Sequence, residues 1–553
     1  MQCEDNPNII YGGDVEDAYE EGEKRNFESL GQMILENLAL GNNRPLFING
    51  ATDETITFND VRKNTITFAK ALHGFGIKEN DTVAIISENR LEFPSISYGA
   101  ICLNAIVAPI NSSYTERELK HALNLSKPKI IFTSKLTSQK IIAVCKELKF
   151  IQKVILIDNN DQKSENSLTI GEFVKKYEDK NFNVENFVAK KVDTENLTTL
   201  ILLSSGTTGL AKAVEITQLN IMSTIDSAKV MFEVMKMLYE KDVVYFNIAP
   251  WFHTLGYISM CLLACSSSSV FIFLPKFEER TFLRAIEKYK VNVLTVVPPI
   301  MLLLAKSPLV DEYDLSSILE IGCGAAHLSS EVEEQVRNRL KNVTVRQGYG
   351  LSEATYSTLG ASVLVKPGSV GQPVRGIYAK IVDENNVALG PNKVGELCFK
   401  GPRIMKGYKS NKLATNEMID KDGWLHTGDL GYYDEDFQFY IVDRLKELIK
   451  YKGFQVAPAE LEGLLLSNPK IKDAGVIGIP DDFAGELPFA FIVKQENVEL
   501  SEQEVKNFVK ENASNVKWLR GGVKFIDEIP KTQSGKILRR ELKDLYKSTK
   551  SKL

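Results

Sequence analysis

Apolar and polar positions alternate along most of the chain between helical and strand-like spacing. Phe58–Phe75 carries apolar residues at helical spacing and predicts a helix. Thr82–Ile86 is a short, continuous apolar run that predicts a buried strand, and residues 130–132 and 154–157 repeat that pattern. Such alternation of helices and strands predicts an α/β fold whose sheets are mainly parallel.

Two stretches depart from this alternation. Residues 158–196 are polar and charged with little periodicity, and they predict an excursion over the surface. Residues 291–305 form the most apolar stretch, but Asn292, Pro298 and Pro299 interrupt it. It falls short of the roughly 20 apolar residues that cross a bilayer, so we predict a strand, a turn and a helix start, and no membrane span.

The length of the chain requires more than one domain. A chain of 553 residues exceeds what one ordinary hydrophobic core organises. Near residues 443–446 the sequence becomes densely charged, and we place a domain boundary there. Strand-like patterns resume at 474–479 and 489–493, so the C-terminal segment is expected to fold around a core of its own.

Charge and cysteine usage narrow the functional classes. The formal net charge of −5 gives no sign of the basic surface of a nucleic-acid binder, so we expect no nucleic-acid partner. The seven cysteines form no CxxC pair and no cluster with zinc spacing, and we expect reduced thiols, mostly in the core. The acidic N-terminus lacks the apolar region of a secretory signal.

The last three residues, Ser551, Lys552 and Leu553, form the tripeptide SKL. At a C-terminus this tripeptide is an address that the peroxisomal import receptor reads. We therefore expect that receptor as a partner and the peroxisome as the location. The alternative is a chance tripeptide in a lysine-rich tail.

A loop rich in glycine and hydroxyl residues follows the apolar run at 197–203. Its glycines let the backbone turn and expose N–H groups to an anion, while its hydroxyls and lysine add donors and positive charge. The pattern predicts a polyphosphate-binding loop, with a flexible turn as the alternative, and it lacks the spacing of a Walker A loop. The residues concerned are Ser204, Ser205, Gly206, Thr207, Thr208, Gly209 and Lys212.

A second cluster follows the β-branched residues at 343–345. Glycines on both sides of Tyr349 permit close approach of the backbone to a flat ring, on which the tyrosine can stack. Glu353 supplies one carboxylate, and a Mg²⁺ ion that bridges ATP phosphates takes only one or two. The alternative is a turn closed by a surface glutamate. The cluster comprises Gln347, Gly348, Tyr349, Gly350, Leu351, Ser352 and Glu353.

Three further polar residues are candidates for chemistry. Asp429, after a tight turn, is the type of residue that holds a ribose diol, although an ordinary turn aspartate is the simpler reading. Lys536 follows Ser-Gly at a loop apex, where it can reach a neighbouring site or simply begin a solvated basic helix. His253 lies among apolar residues, and a core histidine is as good a reading as a functional one.

Taken together, the order and spacing of these motifs resemble the adenylate-forming superfamily of acyl-CoA synthetases, plant 4-coumarate:CoA ligases and beetle luciferases. The resemblance runs from about Ile9 to Leu553 and is closest to the insect luciferase-like fatty acyl-CoA synthetases. Residues 443–460, DRLKELIKYKGFQVAPAE, match that branch almost residue for residue.

The resemblance implies an α/β protein of two unequal domains. Residues 1–443 would form a large adenylation domain of mixed sheets with flanking helices and a β-barrel-like subdomain. Residues 444–446 would be the hinge, and residues 447–553 a small, mobile α+β domain. ATP would bind between the two domains.

The resemblance also implies a role for each motif. Ser204 to Gly209 and Lys212 would hold the phosphates, and Glu353 with Thr207 would hold Mg²⁺ while Ser352 contacts phosphate. Asp429 would hold the ribose hydroxyls and Arg444 the ribose or a phosphate. The residues expected to line the adenine and acyl sites are Gly324, Ala325, Ala326, Gln347, Gly348, Tyr349 and Gly350.

Two sets of residues would serve two half-reactions. Lys536 would stabilise the transition state of adenylation, and His253 would position the carboxylate at the entrance of the acyl pocket. Rotation of the small domain about a hinge near Lys446 would then remove Lys536 and bring in a second set for the thiol step. That set is Lys450, Lys452, Gly453 and Gln455.

The implied activity is ATP-dependent activation of a medium- or long-chain fatty acid, followed by transfer of the acyl group to coenzyme A. Thr224, Leu255 and Tyr356 fall where beetle luciferases usually have arginine, phenylalanine and serine, which favours an aliphatic chain over beetle luciferin. A luciferase that uses ATP and O₂, an aryl-CoA ligase and a weakly catalytic binding protein are the alternatives.

The sequence departs from the family pattern at the phosphate loop and at the adenine motif. Ala211 and Ala213 flank Lys212 where proline and glycine are usual, and His327 stands where proline is common. Loss of a proline at a compatible site costs about 0.4–1 kcal/mol through chain entropy. Because the charge of Lys212 remains, we expect a somewhat slower enzyme and not an inactive one.

Overall fold

The computed structural model describes residues 1–3, 6–13, 27–158, 167–204, 211–239, 243–264, 269–360, 365–452, 454–481, 483–532 and 535–550. Three of the sequence predictions lie outside these residues. They are the centre of the phosphate loop at 205–210, which includes Thr207, then Gly453, and the tripeptide at 551–553.

The first large sheet has eight strands and delivers the phosphate loop. Its strands run parallel except at one edge, where Thr198–Ser204 and Lys212–Thr217 form an antiparallel pair whose register places Ser204 opposite Lys212. The two ends of the loop are thereby pinned side by side. In spatial order the strands are Gly407–Tyr408, Lys212–Thr217, Thr198–Ser204, Ile106–Pro109, Thr82–Ile86, Ile130–Thr133, Lys153–Leu156 and Ser167–Thr169.

The second large sheet has seven strands and delivers the glycine-rich cluster. All neighbours are parallel except the last pair, and the register places Cys323 beside Gln347 at the carboxyl ends of two adjacent strands. Ligands of open α/β sheets bind outside such strand ends. In spatial order the strands are Thr344–Gln347, Glu320–Cys323, Val293–Val296, Val244–Asn247, Val270–Phe273, Pro45–Asn49 and Thr55–Thr57.

A third, antiparallel sheet of six strands delivers Asp429 and Arg444, which its register places opposite each other. A small three-stranded sheet joins it through a bridge between Gly371 and Phe439, in the part where we expected a barrel-like subdomain. The six strands are Gln2–Cys3, Asn6–Tyr11, Tyr378–Val382, Gly395–Lys400, Leu425–Tyr433 and Phe439–Arg444, and the three are Tyr349–Gly350, Ser357–Gly360 and Gln372–Pro373.

The C-terminal segment has a sheet of its own. All its strands come from residues 449–525, and its core is separate from those of the preceding sheets. This is the small α+β unit expected after the charged segment, while the boundary at residue 443 stays a prediction. The strands are Phe454–Val456, Ile449–Tyr451, Gly485–Lys494, Ile471–Asp481 and Gly522–Phe525.

Helices cover the sheets, as mixed α/β architecture requires. In the described part of the chain none of them combines the length and apolar character needed to cross a bilayer. The α-helices are Leu30–Gly41, Phe58–Phe75, Glu92–Ile101, Glu116–Ser126, Ser138–Cys145, Ile170–Tyr177, Val184–Val188, Gln218–Tyr239, Thr254–Ala264, Glu279–Tyr289, Pro298–Lys306, Ser330–Arg339, Lys412–Met418, Pro458–Ser467, Glu502–Asn512 and Arg539–Lys550. Short 3₁₀ helices span Pro308–Glu312, Ser352–Ala354 and Asn515–Lys517.

Helices and strands were predicted most accurately where the spacing of apolar residues is regular over many positions. The helix Phe58–Phe75 and the strand Thr82–Ile86 are confirmed with their predicted bounds. The surface excursion predicted over residues 158–196 contains elements of its own in its described part, namely a strand and the helices Ile170–Tyr177 and Val184–Val188. The first of these helices has one fully buried residue, Phe173, and so short a stripe leaves little periodicity to detect.

Candidate functional site

A cavity of about 1270 Å³ lies where the three N-terminal sheets meet the C-terminal segment. Predicted site residues from each of these parts line the cavity, so segments that are far apart in sequence lie close together here. Those residues are Ser204, Lys212, His253, Gly324, Ala325, Gln347, Gly348, Tyr349, Gly350, Ser352, Glu353, Asp429, Arg444 and Lys536.

The described ends of the phosphate loop both line this cavity. Lys212 begins its strand directly opposite Ser204, and its Nζ lies 4.7 Å from the centre of the Tyr408 ring. An ammonium over an aromatic face gains favourable electrostatic interaction without losing its charge. The lysine is thus held at the cavity wall with a positive charge that a phosphate can meet.

Glu353 lies on the 3₁₀ helix Ser352–Ala354 and is 8% exposed. The Tyr408 hydroxyl donates a hydrogen bond of 2.8 Å to one of its carboxylate oxygens. Beside it, the hydroxyl oxygens of Ser352 and Thr254 are 2.7 Å apart. A single oriented carboxylate that lines a cavity beside hydroxyls suits a hard cation such as Mg²⁺.

Asp429 is a second buried carboxylate of the cavity wall and lies on the six-stranded antiparallel sheet. The Tyr349 hydroxyl donates to one of its carboxylate oxygens at 2.5 Å, and Arg444 Nε lies 3.2 Å from the other. Burial raises the pKa of Asp429, while the charge of Arg444 and the Tyr349 hydrogen bond act against that rise. This arrangement fixes the direction of the carboxylate, which is what recognition of a diol requires.

Lys536 stands on a tight loop of the C-terminal segment and reaches the same cavity. Its backbone N–H donates to the Thr532 hydroxyl at 3.1 Å, and its carbonyl accepts from the Thr532 N–H at 2.8 Å. Burial and the neighbouring Arg444 guanidinium lower the pKa of Lys536 to about 8. The loop therefore presents a largely desolvated ammonium, which interacts strongly with an incoming anion.

His253 follows Trp251, a fully buried ring packed at 4.7 Å from the ring of Phe273. Burial lowers the pKa of His253 to about 4, so the ring is neutral at physiological pH. Its Nδ1 accepts the backbone N–H of Leu255 at 3.3 Å, which places the remaining proton on Nε2. His253 also lines the cavity, where its side chain can contact a ligand.

The chain folds back closely on the glycine-rich cluster. A Cβ at Gly350 would lie 2.0 Å from the carbonyl oxygen of Tyr356, so only glycine fits there. Gln347 lines the cavity, but its side-chain amide donates to Glu333 at 2.7 Å. Ala326, which was predicted beside Gly324 and Ala325, is absent from the described cavity wall.

The residues that the resemblance assigns to the thiol step lie outside this cavity. Lys450, Lys452 and Gln455 are exposed on the C-terminal sheet and do not contribute to the described cavity wall. Lys536 and Lys450 are thus separated in this arrangement. The roles given to them by resemblance require such a separation, because only one set would face the nucleotide at a time.

Several residues of the cavity wall were not predicted from the sequence. Tyr408 contacts Glu353 from 55 positions away, and Glu396 and Thr532 line the cavity without belonging to a recognisable motif. His426 stands within the Trp-Leu-His-Thr-Gly-Asp segment that pointed to Asp429, but nothing in the sequence indicates its partners.

Comparison with known proteins places the chain among enzymes with this architecture. Residues 36–409 match the model of the AMP-binding enzyme family, and residues 460–536 match that of the AMP-binding enzyme C-terminal domain. Luciferin 4-monooxygenase of Photuris pensylvanica is 42% identical over 91% of this chain and 92% of its own length. A probable 4-coumarate–CoA ligase of Dictyostelium discoideum is 38% identical over 93% and 94%.

The solved structures agree on the fold. ATP-bound MatB from Rhodopseudomonas palustris superposes with a TM-score of 0.82 at 23% identity, covering 94% of this chain and 99% of its own. At that identity the likeness concerns the fold alone. It nevertheless extends over both the N-terminal sheets and the C-terminal segment.

Proposed function

Since the chain belongs to the AMP-binding enzyme family, we propose that it activates a carboxylic acid with ATP and transfers the acyl group to coenzyme A. One observation carries the proposal: Lys212, Glu353, Asp429 and Lys536 line a single cavity. They come from four parts of the fold, and a nucleotide is the kind of ligand that needs a phosphate cation, a metal carboxylate and a diol acceptor together.

The first half-reaction joins two anions. The substrate carboxylate attacks the α-phosphorus of ATP, a phosphorus–oxygen bond forms, and pyrophosphate leaves with the electrons of the broken bond. Lys536 approaches from the C-terminal segment as a desolvated ammonium and stabilises the charge that develops on the phosphoryl oxygens. Neutral His253 orients the carboxylate without repelling Lys536.

Glu353, and by resemblance Thr207, would hold Mg²⁺. The buried, tyrosine-bonded carboxylate of Glu353 fits such a ligand set, and the ion when bound would neutralise phosphate charge.

The second half-reaction needs a different face of the C-terminal segment. Coenzyme A supplies a thiol that attacks the acyl carbonyl, and AMP leaves. We propose that residues 447–553 rotate about a hinge at 444–446, which withdraws Lys536 and brings Lys450, Lys452 and Gln455 to the site. Their exposure in the present arrangement supports this proposal.

For the acid, we propose a medium- or long-chain fatty acid. Thr224, Leu255 and Tyr356 all line the cavity, at the positions where the resemblance expects contacts to an aromatic luciferin. Leu255 packs against apolar residues of the second sheet, and the Tyr356 hydroxyl is 3.1 Å from that of Ser259. Leu255 stands where beetle luciferases usually have the stacking phenylalanine, which favours an alkyl chain over beetle luciferin.

Lys536→Ala tests the assignment. With a panel of acids of graded length, Mg²⁺-ATP and coenzyme A, the wild type should release pyrophosphate and form thioester. The variant should slow adenylation by about 10²- to 10³-fold, the usual cost of removing one such group. Thioester formation from preformed acyl-adenylate should fall far less.

Lys543→Ala is the matched control, because Lys543 is an exposed lysine on the helix that follows the loop. It should leave both steps unchanged. Equal losses in both half-reactions of Lys536→Ala would refute the two-state assignment, and absence of pyrophosphate release with every acid would refute the proposed function.

A luciferase is the second candidate, favoured by the 42% identity to a luciferin 4-monooxygenase. Such an enzyme shares the adenylation step and then oxidises the adenylate with O₂. Beetle luciferin, ATP and O₂ should yield no more light with this chain than without it if the ligase proposal is right. Strong emission without thioester formation would favour the luciferase.

A further inference from the structure

A histidine between two carboxylates lies near Asp429, on the wall of the same cavity. His426 stands on the strand Leu425–Tyr433, three positions before Asp429. Its Nδ1 is 2.9 Å from a carboxylate oxygen of Glu396, and its Nε2 is 3.4 Å from one of Asp420. The ring thus ties its own strand to the neighbouring strand and to the turn that precedes it.

The Glu396 carboxylate continues the connection toward Asp429. Its other oxygen accepts the backbone N–H of Gly428 at 2.8 Å. Gly428 has a φ of +69°, a conformation that side chains disfavour, and its carbonyl accepts the N–H of Leu445 at 2.9 Å. The residue immediately before Asp429 is therefore held from both sides.

The charges in this group favour the bonded state. The Cys398 sulfur and the Glu396 carboxylate raise the pKa of His426 to about 10, so the ring is an imidazolium at neutral pH. Burial acts to raise the pKa of Glu396, but the hydrogen bonds from His426 and Gly428 outweigh it and leave that pKa lowered. Both ring nitrogens then donate, and both acceptors carry negative charge.

We propose that His426 is a positioning residue for nucleotide binding, which holds the Gly428–Asp429 turn through Glu396 so that Asp429 meets the ribose hydroxyls. The proposal rests on the proposed function in one respect, namely that the cavity takes ATP. It goes further by giving a role to His426, for which the sequence alone indicates none. His426 acts through Asp429 and needs no contact with the reacting atoms.

The same atoms also lie close enough together to hold a metal ion, but the hydrogen bonds of His426 to Glu396 and Asp420 compete with one. One donor atom each of Glu396, Cys398 and His426 lies within 4.8 Å of the others. A ring that is protonated on both nitrogens has no lone pair to offer a metal. Burial also raises the pKa of the Cys398 thiol, despite the hydrogen bond to His426, which makes the sulfur a poorer metal ligand.

The test compares ATP with 2′,3′-dideoxy-ATP, which lacks the hydroxyls that Asp429 would hold. His426→Leu should weaken ATP binding about tenfold, the scale of one lost charged hydrogen bond. Its effect on 2′,3′-dideoxy-ATP should be less than about twofold, because the ribose contact is already missing. His426→Asn, which can still donate to Glu396, should recover most of the affinity for ATP.

Dissociation constants measured by calorimetry, without any acid, keep this test separate from the proposed function. His73→Leu is the matched control: His73 also bonds a carboxylate, Asp179 at 3.1 Å, but is absent from the described cavity wall. It should change neither dissociation constant. Thermal unfolding of each variant shows that it is folded.

Equal weakening for both nucleotides would mean that His426 only stabilises the fold, and it would overturn the inference. An unchanged dissociation constant for ATP would overturn it as well. If ATP binds in the predicted pattern but no acid is activated, the proposed function fails and the positioning role stands. If acids are activated but the two nucleotides suffer alike, only the positioning role fails.

Discussion

At the scale of single residues, the site works by desolvating charges that it also pairs. Asp429 lies between Tyr349 and Arg444, and Lys536 shares the same corner of the cavity. Burial raises the pKa of Asp429 and lowers that of Lys536, because it removes water from the charged form of each group. The phosphates and hydroxyls of a nucleotide would therefore meet groups that have already lost much of their water, so that binding requires little further desolvation of them.

The pH dependence of adenylation follows from Lys536. Its ammonium is the form that stabilises the phosphoryl transition state, and its pKa is lowered to about 8. The value of kcat/KM for pyrophosphate release should therefore be steady near neutral pH and should fall as the pH rises through about 8. His253, with a pKa of about 4, stays neutral throughout this range.

Lys536→Arg provides the control, because arginine keeps its charge up to pH values above about 12. This variant should be slower overall, but its rate should no longer decline between about pH 7 and pH 9.5. A wild-type profile that stays flat above pH 8, or one whose decline survives in the arginine variant, would show that another group titrates.

Residues within contiguous motifs could be predicted, and their partners could not. Lys212, Glu353 and Asp429 stand in short segments whose glycines and hydroxyls indicate phosphate or ribose chemistry, and all three line the cavity. Tyr408 and Glu396 act through contacts to residues 55 and 30 or more positions away. A hydroxyl or carboxylate in an ordinary strand gives no sign of such a partner.

At the scale of elements, one loop decides whether Lys536 reaches the cavity. Gly535 has a φ of +82°, and a Cβ at this position would lie 2.6 Å from Cδ of Pro299. The loop can therefore approach the helix Pro298–Lys306 only because residue 535 lacks a side chain. Residue identity and loop position are linked here by sterics alone.

Gly535→Ala should accordingly slow adenylation by about tenfold or more, because the strained backbone and the clash displace Lys536. Thioester formation from preformed adenylate should be little affected. Gly171→Ala is the control: this helical glycine has open space around its Cβ position and an ordinary φ, so alanine there should leave both steps intact. Rapid-quench measurement of each half-reaction checks both expectations.

The elements themselves were predictable where the local pattern was strong. Phe58–Phe75 repeats apolar residues at helical spacing over about five turns, and a capping box between Thr57 and Asp60 marks its N-terminus. The helices Ile170–Tyr177 and Val184–Val188 are too short to show a periodicity, so the sequence pattern gives no sign of them. Their place in the fold depends on tertiary contacts of residues such as Phe173.

At the scale of the whole molecule, the placement of the C-terminal segment is the feature that the sequence left least determined. Lys306, at the end of the helix Pro298–Lys306, donates to the carbonyls of Leu466 and Ile471, each at 2.9 Å. Those carbonyls end one helix and begin the next strand of the C-terminal segment. A Cβ at Gly463 would lie 2.9 Å from Cβ of Ser329, so the two parts also approach closely.

Lys306→Met should loosen this placement, because it removes the ammonium while keeping most of the unbranched side chain. A hydrogen bond that involves a charged group contributes about 1.5–3 kcal/mol, so the equilibrium should shift by tenfold or more away from the arrangement that brings Lys536 to the cavity. Adenylation should slow, whereas thioester formation from preformed adenylate should stay the same or rise. Lys290→Met, which removes an exposed lysine paired with Asp314 at 2.8 Å, is the control and should change neither step. Equal slowing of both half-reactions would mean that Lys306 stabilises the fold as a whole, and an unchanged ratio of the two rates would show that the C-terminal segment is held by other contacts.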